Sequence, residues 1–226
     1  HYSIARQKGT FGSYRMFGAV GWGIAAPLLG KLIDNNSSGI IFPYATTLIL
    51  FVSLMAFVLL KLDKQLISGS RIKIRGIGHF FHGPFLFFLI IILLFGFCMA
   101  PISHVISMYY REIGASNVLL GMAFTIQTIV EIPFFFFGIY FVKKFGAPKT
   151  ILLSILVGAV RLFYYGMITN PVTALFGGIL QGITLSLFII AVVEYIQKNT
   201  APEWRSTGQT IMWAFHFGEG YALGNF

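Results

Sequence analysis

Long apolar runs alternate with short polar ones along almost the whole chain. A segment that crosses about 30 Å of hydrocarbon as a helix needs roughly 20 residues. Seven stretches meet that length: 13–33, 40–61, 84–110, 117–142, 149–168, 172–197 and 207–226. They are apolar on every side, so helical periodicity says little and length alone predicts seven spanning helices. Between them, DNNSSG (Asp34 to Gly39) is a turn, and Lys61 to Pro84 is one long polar connection. REIGASN, KKFGAPK, TNP and QKNTAPEWRST separate the rest. The pattern predicts an all-α integral membrane protein embedded in a lipid bilayer.

Composition agrees. Hydrophobic residues make up 57% of the chain and charged residues 10%, too little charge for a soluble domain of this length. The net charge of +9 does not indicate a nucleic-acid partner, because the basic residues sit in the connections. There they follow the rule that sets membrane orientation. Alternate connections hold Arg6, Lys8, Lys61, Lys64, Arg71, Lys73, Arg75, Lys143, Lys144, Lys149, Lys198 and Arg205, whereas the other set holds only Lys31 and Arg111. The bias predicts a multi-pass protein of the cell membrane with residue 1 and the 62–83 loop cytoplasmic. The single cysteine, Cys98, cannot form an internal disulfide. The chain starts on His1 and its last apolar run stops at FGEGYALGNF, so it is expected to be an internal piece of a longer membrane protein.

The stretch TFGSYRMFGAVGWGIAAPLLG (Thr10 to Gly30) combines an arginine, a tryptophan and a run of small residues. Arg15 and Trp22 are seven positions apart, about two helical turns, and share a face. Gly18, Ala19, Gly21, Gly23, Ala25 and Ala26 allow neighbouring helices to come close. On spacing alone, Arg15 is equally an interfacial anchor and Trp22 a packing residue.

FGSYRMFGAVGWGI resembles the fifth transmembrane helix of the lactose-permease-like group of the major facilitator superfamily. The likeness lies in the spaced Phe-Gly, the Arg-Met-Phe-Gly and the Val-Gly-Trp. GIYFVKKFGAPK resembles the superfamily signature between helices eight and nine in degenerate form: Gly146 and the basic residues are present, and Val142 or Lys143 replaces the usual acidic residue. APEWRSTGQTI resembles the lead into helix eleven. The resemblance implies a partial bundle, helices five to eleven, about seven of twelve. Residues 1–61 would close the N-terminal six-helix half, 62–83 would be the central cytoplasmic loop, and 84–226 would belong to the C-terminal half.

The resemblance also implies solute contacts at Arg15 and Trp22. A guanidinium offers fixed donors to hydroxyl oxygens, and an indole covers the apolar face of a ring. Ionisable residues inside a span are costly and need a reason. Glu131 and Arg161 sit near the middle of consecutive antiparallel spans, offset by about 6 Å along the axis. They are expected to pair, either as a static ion pair or as a proton switch. The family counterpart of Arg161 belongs to the proton-translocation network. Gln181 and Thr184 match the family's proton-coupling histidine and glutamate, yet neither ionises, so that chemistry does not carry over intact.

Gln127, His104 and Gln181 complete the expected solute-binding set with Arg15 and Trp22. For His104 a packed core histidine is the alternative, and for Gln181 a helix–helix hydrogen bond. Glu194 is read as interfacial. His216 and Glu219, three apart, lack a third ligand and are not read as a metal site. No phosphate loop, nucleophile elbow or ligand cluster supports an enzyme, and no cofactor or metal is expected. The leading function is secondary transport: proton-coupled symport of a sugar, oligosaccharide or similar small polar solute by alternating access. A nucleoside or aromatic-acid symporter of the same fold is the alternative, and a seven-span receptor or sensor is the alternative from another class.

Overall fold

The computed structural model describes residues 11–62 and 77–225. The helices are α1 (Phe11–Asn35), α2 (Ile41–Leu62), α3 (Gly83–Glu112), α4 (Asn117–Phe145), α5 (Ala147–Met167) and α6 (Phe176–Asn199). The last apolar run is α7 (Arg205–Trp213), a π-helical stretch (Ala214–Gly220) and α8 (Tyr221–Gly224). No strand occurs among the described residues. In hydrocarbon no water is available to a bare N–H or C=O, so a spanning segment must satisfy its backbone internally, and helix is the local solution.

Each expected span coincides with helix to within a few residues. Five segments are long and apolar enough to cross a membrane: Ser38–Val58, Gly83–Glu112, Asn117–Phe145, Ala147–Met167 and Thr173–Asn199. The other two expected spans are the glycine-rich α1 and the interrupted 205–224 segment. Residues 63–76 of the long connection lie outside the described residues. Its end is not simply polar: the short turn Ile77–Phe81 buries Phe80, whose ring lies 4.9 Å from Phe85 and 6.2 Å from Trp204.

The boundaries have local causes. Ser116 caps α4 by accepting a hydrogen bond from Leu119 N–H at 3.1 Å. Lys143 and Lys144 in its last turn complement the helix dipole. Only Gly146 separates α4 from α5, and its φ of +85° is a backbone region that side chains other than glycine rarely adopt.

Helix α6 is the centre of the bundle, with every residue from Ser186 to Val193 buried. It packs against α4 and α5, while α3 packs on the π stretch and α8, and α1 packs along α4. The apolar core joins α3, α6 and α7 through Phe88, Leu89, Ile92, Phe188, Val192 and Met212, and Tyr195 stacks on Phe88 at 4.3 Å. Helix α2 is exposed along 41–58 and packs on the Ser38–Ile40 turn that precedes it.

Candidate functional site

A cavity of about 640 Å³ opens between α1, α3, α4, α5, α6 and the π stretch. From α1, Trp22 enters it with its ring edge-to-face on Phe124 of α4, 5.7 Å between centroids. Trp22 stays 55% exposed, so its indole is available to a ligand or a further helix. The Arg15 side chain lies outside the described residues.

Helix α4 contributes Gln127 and Glu131, one turn apart on the same face. Gln127 Nε2 donates to Glu131 Oε1 at 2.6 Å. Glu131 is 3% exposed, so a carboxyl sits at the cavity wall away from bulk water. Helix α5 contributes Arg161, 4% exposed, with Nη2 3.2 Å from the thioether sulfur of Met99. Arg161 Nε has no hydrogen-bond partner among the described residues. Glu131 and Arg161 therefore face one space, with Gln127 held on the carboxylate and Met99 on the guanidinium. A buried guanidinium held by a weak sulfur acceptor retains unused donors directed at whatever fills the cavity.

Helix α6 brings Gln181 and Thr184 to the same wall. Thr184 Oγ1 donates to Leu180 O at 2.8 Å, which leaves its lone pairs facing the cavity. From α3, Ser103 and Ser107 line the space one turn apart, and Ser103 Oγ lies 3.2 Å from Tyr221 OH. His104, between them in sequence, is turned outward: it is exposed and does not line the cavity. A helix advances about 100° per residue, so neighbours of a lining residue face elsewhere.

His216 is a lining residue that spacing did not reveal. It is buried, its Nδ1 lies 3.3 Å from Ile92 O, and it packs 5.0 Å from the Phe188 ring. It projects from the π stretch, a form of helix that recurs at functional sites. The only sequence signal was its i, i+3 relation to Glu219, which is exposed. Among the described residues no group of His, Cys, Asp and Glu is arranged to hold a metal ion.

The fold is a membrane bundle with a polar, aromatic-walled cavity at its centre. Residues 3–226 match the MFS_1 like family, and the chain belongs to that family, within the major facilitator superfamily. It is 28% identical over 217 residues to the uncharacterized transporter YwbF of Bacillus subtilis (strain 168), covering 94% of this chain and 53% of that protein. It is 26% identical over 222 residues to a maltose permease of Geobacillus stearothermophilus, covering 96% of this chain and 55% of that protein. It is 28% identical over 144 residues to YegT of Escherichia coli (strain K12), provisionally named a nucleoside transporter, covering 58% of this chain and 33% of that protein. The chain thus spans about half the length of the first two relatives. No solved structure gives a significant match.

Proposed function

We propose that this chain forms part of a secondary transporter that carries a sugar, oligosaccharide or similar small polar solute together with a proton. Residues 1–61 would close one half of the protein and 84–226 would belong to the other, with residue 1 and the 62–83 loop on the cytoplasmic side. The carrying observation is the convergence of Trp22, Gln127, Glu131, Arg161 and Gln181 on one cavity. Trp22 offers a ring face, Gln127 and Gln181 offer amides, and Arg161 offers donors to hydroxyl oxygens. Arg15, two turns before Trp22, would add a second guanidinium. His104 is the weakest member of the set, since it faces away from the cavity in this state. Resemblance to a maltose permease favours the sugar reading. Resemblance to a protein named for nucleoside transport keeps a nucleoside as the second reading, which the same indole would serve by stacking.

Proton coupling would run through Glu131 and Arg161. Protonation of Glu131 removes its charge from the cavity, and deprotonation favours closure onto the guanidinium. The test uses the full-length protein in sealed vesicles with labelled maltose and labelled uridine, each under a proton gradient. Gradient-driven maltose accumulation is expected. Glu131→Gln should abolish accumulation while retaining equilibrium exchange, because exchange need not release the proton. Accumulation of uridine alone would select the nucleoside reading, normal accumulation by Glu131→Gln would move the proton site elsewhere, and transport of neither solute would refute both solute classes.

A further inference from the structure

At the end where α1 finishes and α4 begins, the two helices are joined by an intramolecular carboxylate clasp. Asp34, in the last turn of α1, accepts three hydrogen bonds from α4. Its Oδ1 takes Asn117 Nδ2 at 2.7 Å and the Asn117 N–H at 3.2 Å, and its Oδ2 takes the Val118 N–H at 3.0 Å. These are two of the N–H groups that a helix start leaves without an internal partner. Ser116 on α4's own chain satisfies the next one, at Leu119. The carboxylate thus does for α4 from another helix what a capping residue does from within, and its charge complements the positive end of the helix dipole. Arg111 at the end of α3 donates to Asn117 Oδ1 at 3.3 Å and so orients the amide that holds Asp34.

The clasp lies directly above a seam that walls the cavity. A Cβ on Gly30 would collide with Asn117 O, and one on Gly121 would lie 2.6 Å from Pro27 Cα. Thr125 Oγ1 donates to Gly23 O at 2.8 Å. Below these contacts, Trp22 meets Phe124 at the cavity itself. If solute leaves between α1 and α4 toward this end, the seam must part, and parting it strips the Asn117 and Val118 N–H groups of their acceptor.

We propose that Asp34 is a gating residue, whose clasp on the first turn of α4 holds the cavity shut toward this end and must release for it to open. The proposal rests on the reading that the two halves move against each other around the cavity. Its test needs no knowledge of the solute. In the full-length protein, Cys98→Ser and replacement of every cysteine outside residues 1–226 remove the native thiols, and Ser107→Cys places a thiol on the cavity wall of α3, away from the seam. The alkylation rate by a membrane-impermeant maleimide is measured from each face of oriented vesicles.

With Asp34 intact, labelling from the Asp34 face should be slow. Asp34→Ala should raise it about threefold, the scale of losing hydrogen bonds to a charged acceptor at an exposed site, and leave labelling from the opposite face unchanged or lower. Asp34→Asn, which keeps one acceptor oxygen, and Asn117→Ala, which keeps both backbone donors, should give smaller increases. A residue that merely stabilised the fold would raise labelling from both faces and lower the thermal midpoint. That outcome, or unchanged labelling from the Asp34 face in folded Asp34→Ala protein, overturns the proposal. Slow labelling and loss of the Asp34 effect are read without any transport measurement, so failure of the solute reading remains a separate result.

Discussion

On its α6 side, α4 meets bare backbone. A Cβ at Gly178 would lie 2.6 Å from Ala123 O, and one at Gly182 would lie 2.6 Å from Gln127 O and 2.9 Å from Val130 Cβ. Gly178, Gly182 and Ala123 are all buried. On its α1 side, α4 meets glycines as well, at Gly23 and Gly30, but polar clasps are added at Asp34 and Thr125. The difference is one of replaceability. Both seams hold buried backbone contacts, since Gly30 and Gly121 are buried and approach α4 and α1 backbone as closely as Gly178 and Gly182 approach α4. Only the α1–α4 seam adds an exposed polar clasp, at Asp34, whose hydrogen bonds are exchanged for water at small net cost. The exposed Asp34 clasp is the point at which the α1–α4 seam would begin to part. This is the asymmetry required if α1 and α4 belong to halves that rock.

The comparison breaks most severely at Gly182. Gly182→Val must displace Gln127 backbone and Val130 together, and overpacking of this kind costs about 3 kcal/mol or more where nothing can yield. The thermal midpoint in detergent should fall sharply and the protein should lose monodispersity. Gly166→Ala in α5, where nothing lies within 4 Å, should be neutral or gain up to about 1 kcal/mol from helix propensity.

At the other seam, Gly121→Val would press on Pro27 Cα and Ala26 O. If the seam parts from the Asp34 clasp, the expected loss is smaller, about 1–2 kcal/mol, with faster alkylation of the Ser107→Cys thiol. Destabilisation equal to that of Gly182→Val would show that the two seams are of one kind. Thr125→Val keeps the shape and removes the donor to Gly23 O, for an expected cost of about 0.5–1.5 kcal/mol. Its effect should appear in the alkylation rate more than in the thermal midpoint.

Run length made the helices legible, because the hydrocarbon thickness sets a length that loops do not reach. All-round apolarity hid which faces are inside. Helices α2 and α6 are both strongly apolar, yet the α2 span is exposed and α6 is the buried centre. On α6, Gly178, Gly182 and Ser186 lie four apart and let α4 approach closely, a pattern that length alone does not register. Glu131 and Arg161 stood out because charge inside a span is rare, and both do line the cavity. Their separate partners, Gln127 and Met99, follow from rotamers and helix rotation that spacing does not encode. In sequence, His216 has only Glu219 three positions away, which does not make a metal site. Its place on the cavity depends on the π stretch, which shifts the facing of residues by altering the helical repeat. Phe80 was hidden by the basic character of the connection that precedes it.

The smallest effect, and the sharpest in sign, concerns pH at the releasable seam. Asp34 lies at the end of α1, where the Asn117 side-chain amide, then the Val118 N–H, hold its carboxyl below the usual carboxylate range, and Arg111 on α3 adds to the same direction. The joined seam therefore favours the ionised acid. When the seam parts, the carboxyl returns toward its ordinary value near 3.8. A group whose pKa is depressed in one state favours that state fully above its ordinary pKa, and loses the preference as pH falls through the depressed value. Between pH 6 and 8 the contribution of Asp34 is constant, so any change in alkylation of Ser107→Cys from the Asp34 face over that range comes from other groups. Below about pH 4 the Asp34-dependent difference should shrink. The wild-type clasp should then approach the rate of Asp34→Asn, which has no acid to titrate. The measurement is the ratio of the two rates against pH, in the same vesicles and with a reagent whose thiol reactivity is calibrated at each pH. A ratio that collapses near neutral pH instead would place the controlling proton on a group of higher pKa, and Asp34 would then act through shape and hydrogen bonding alone.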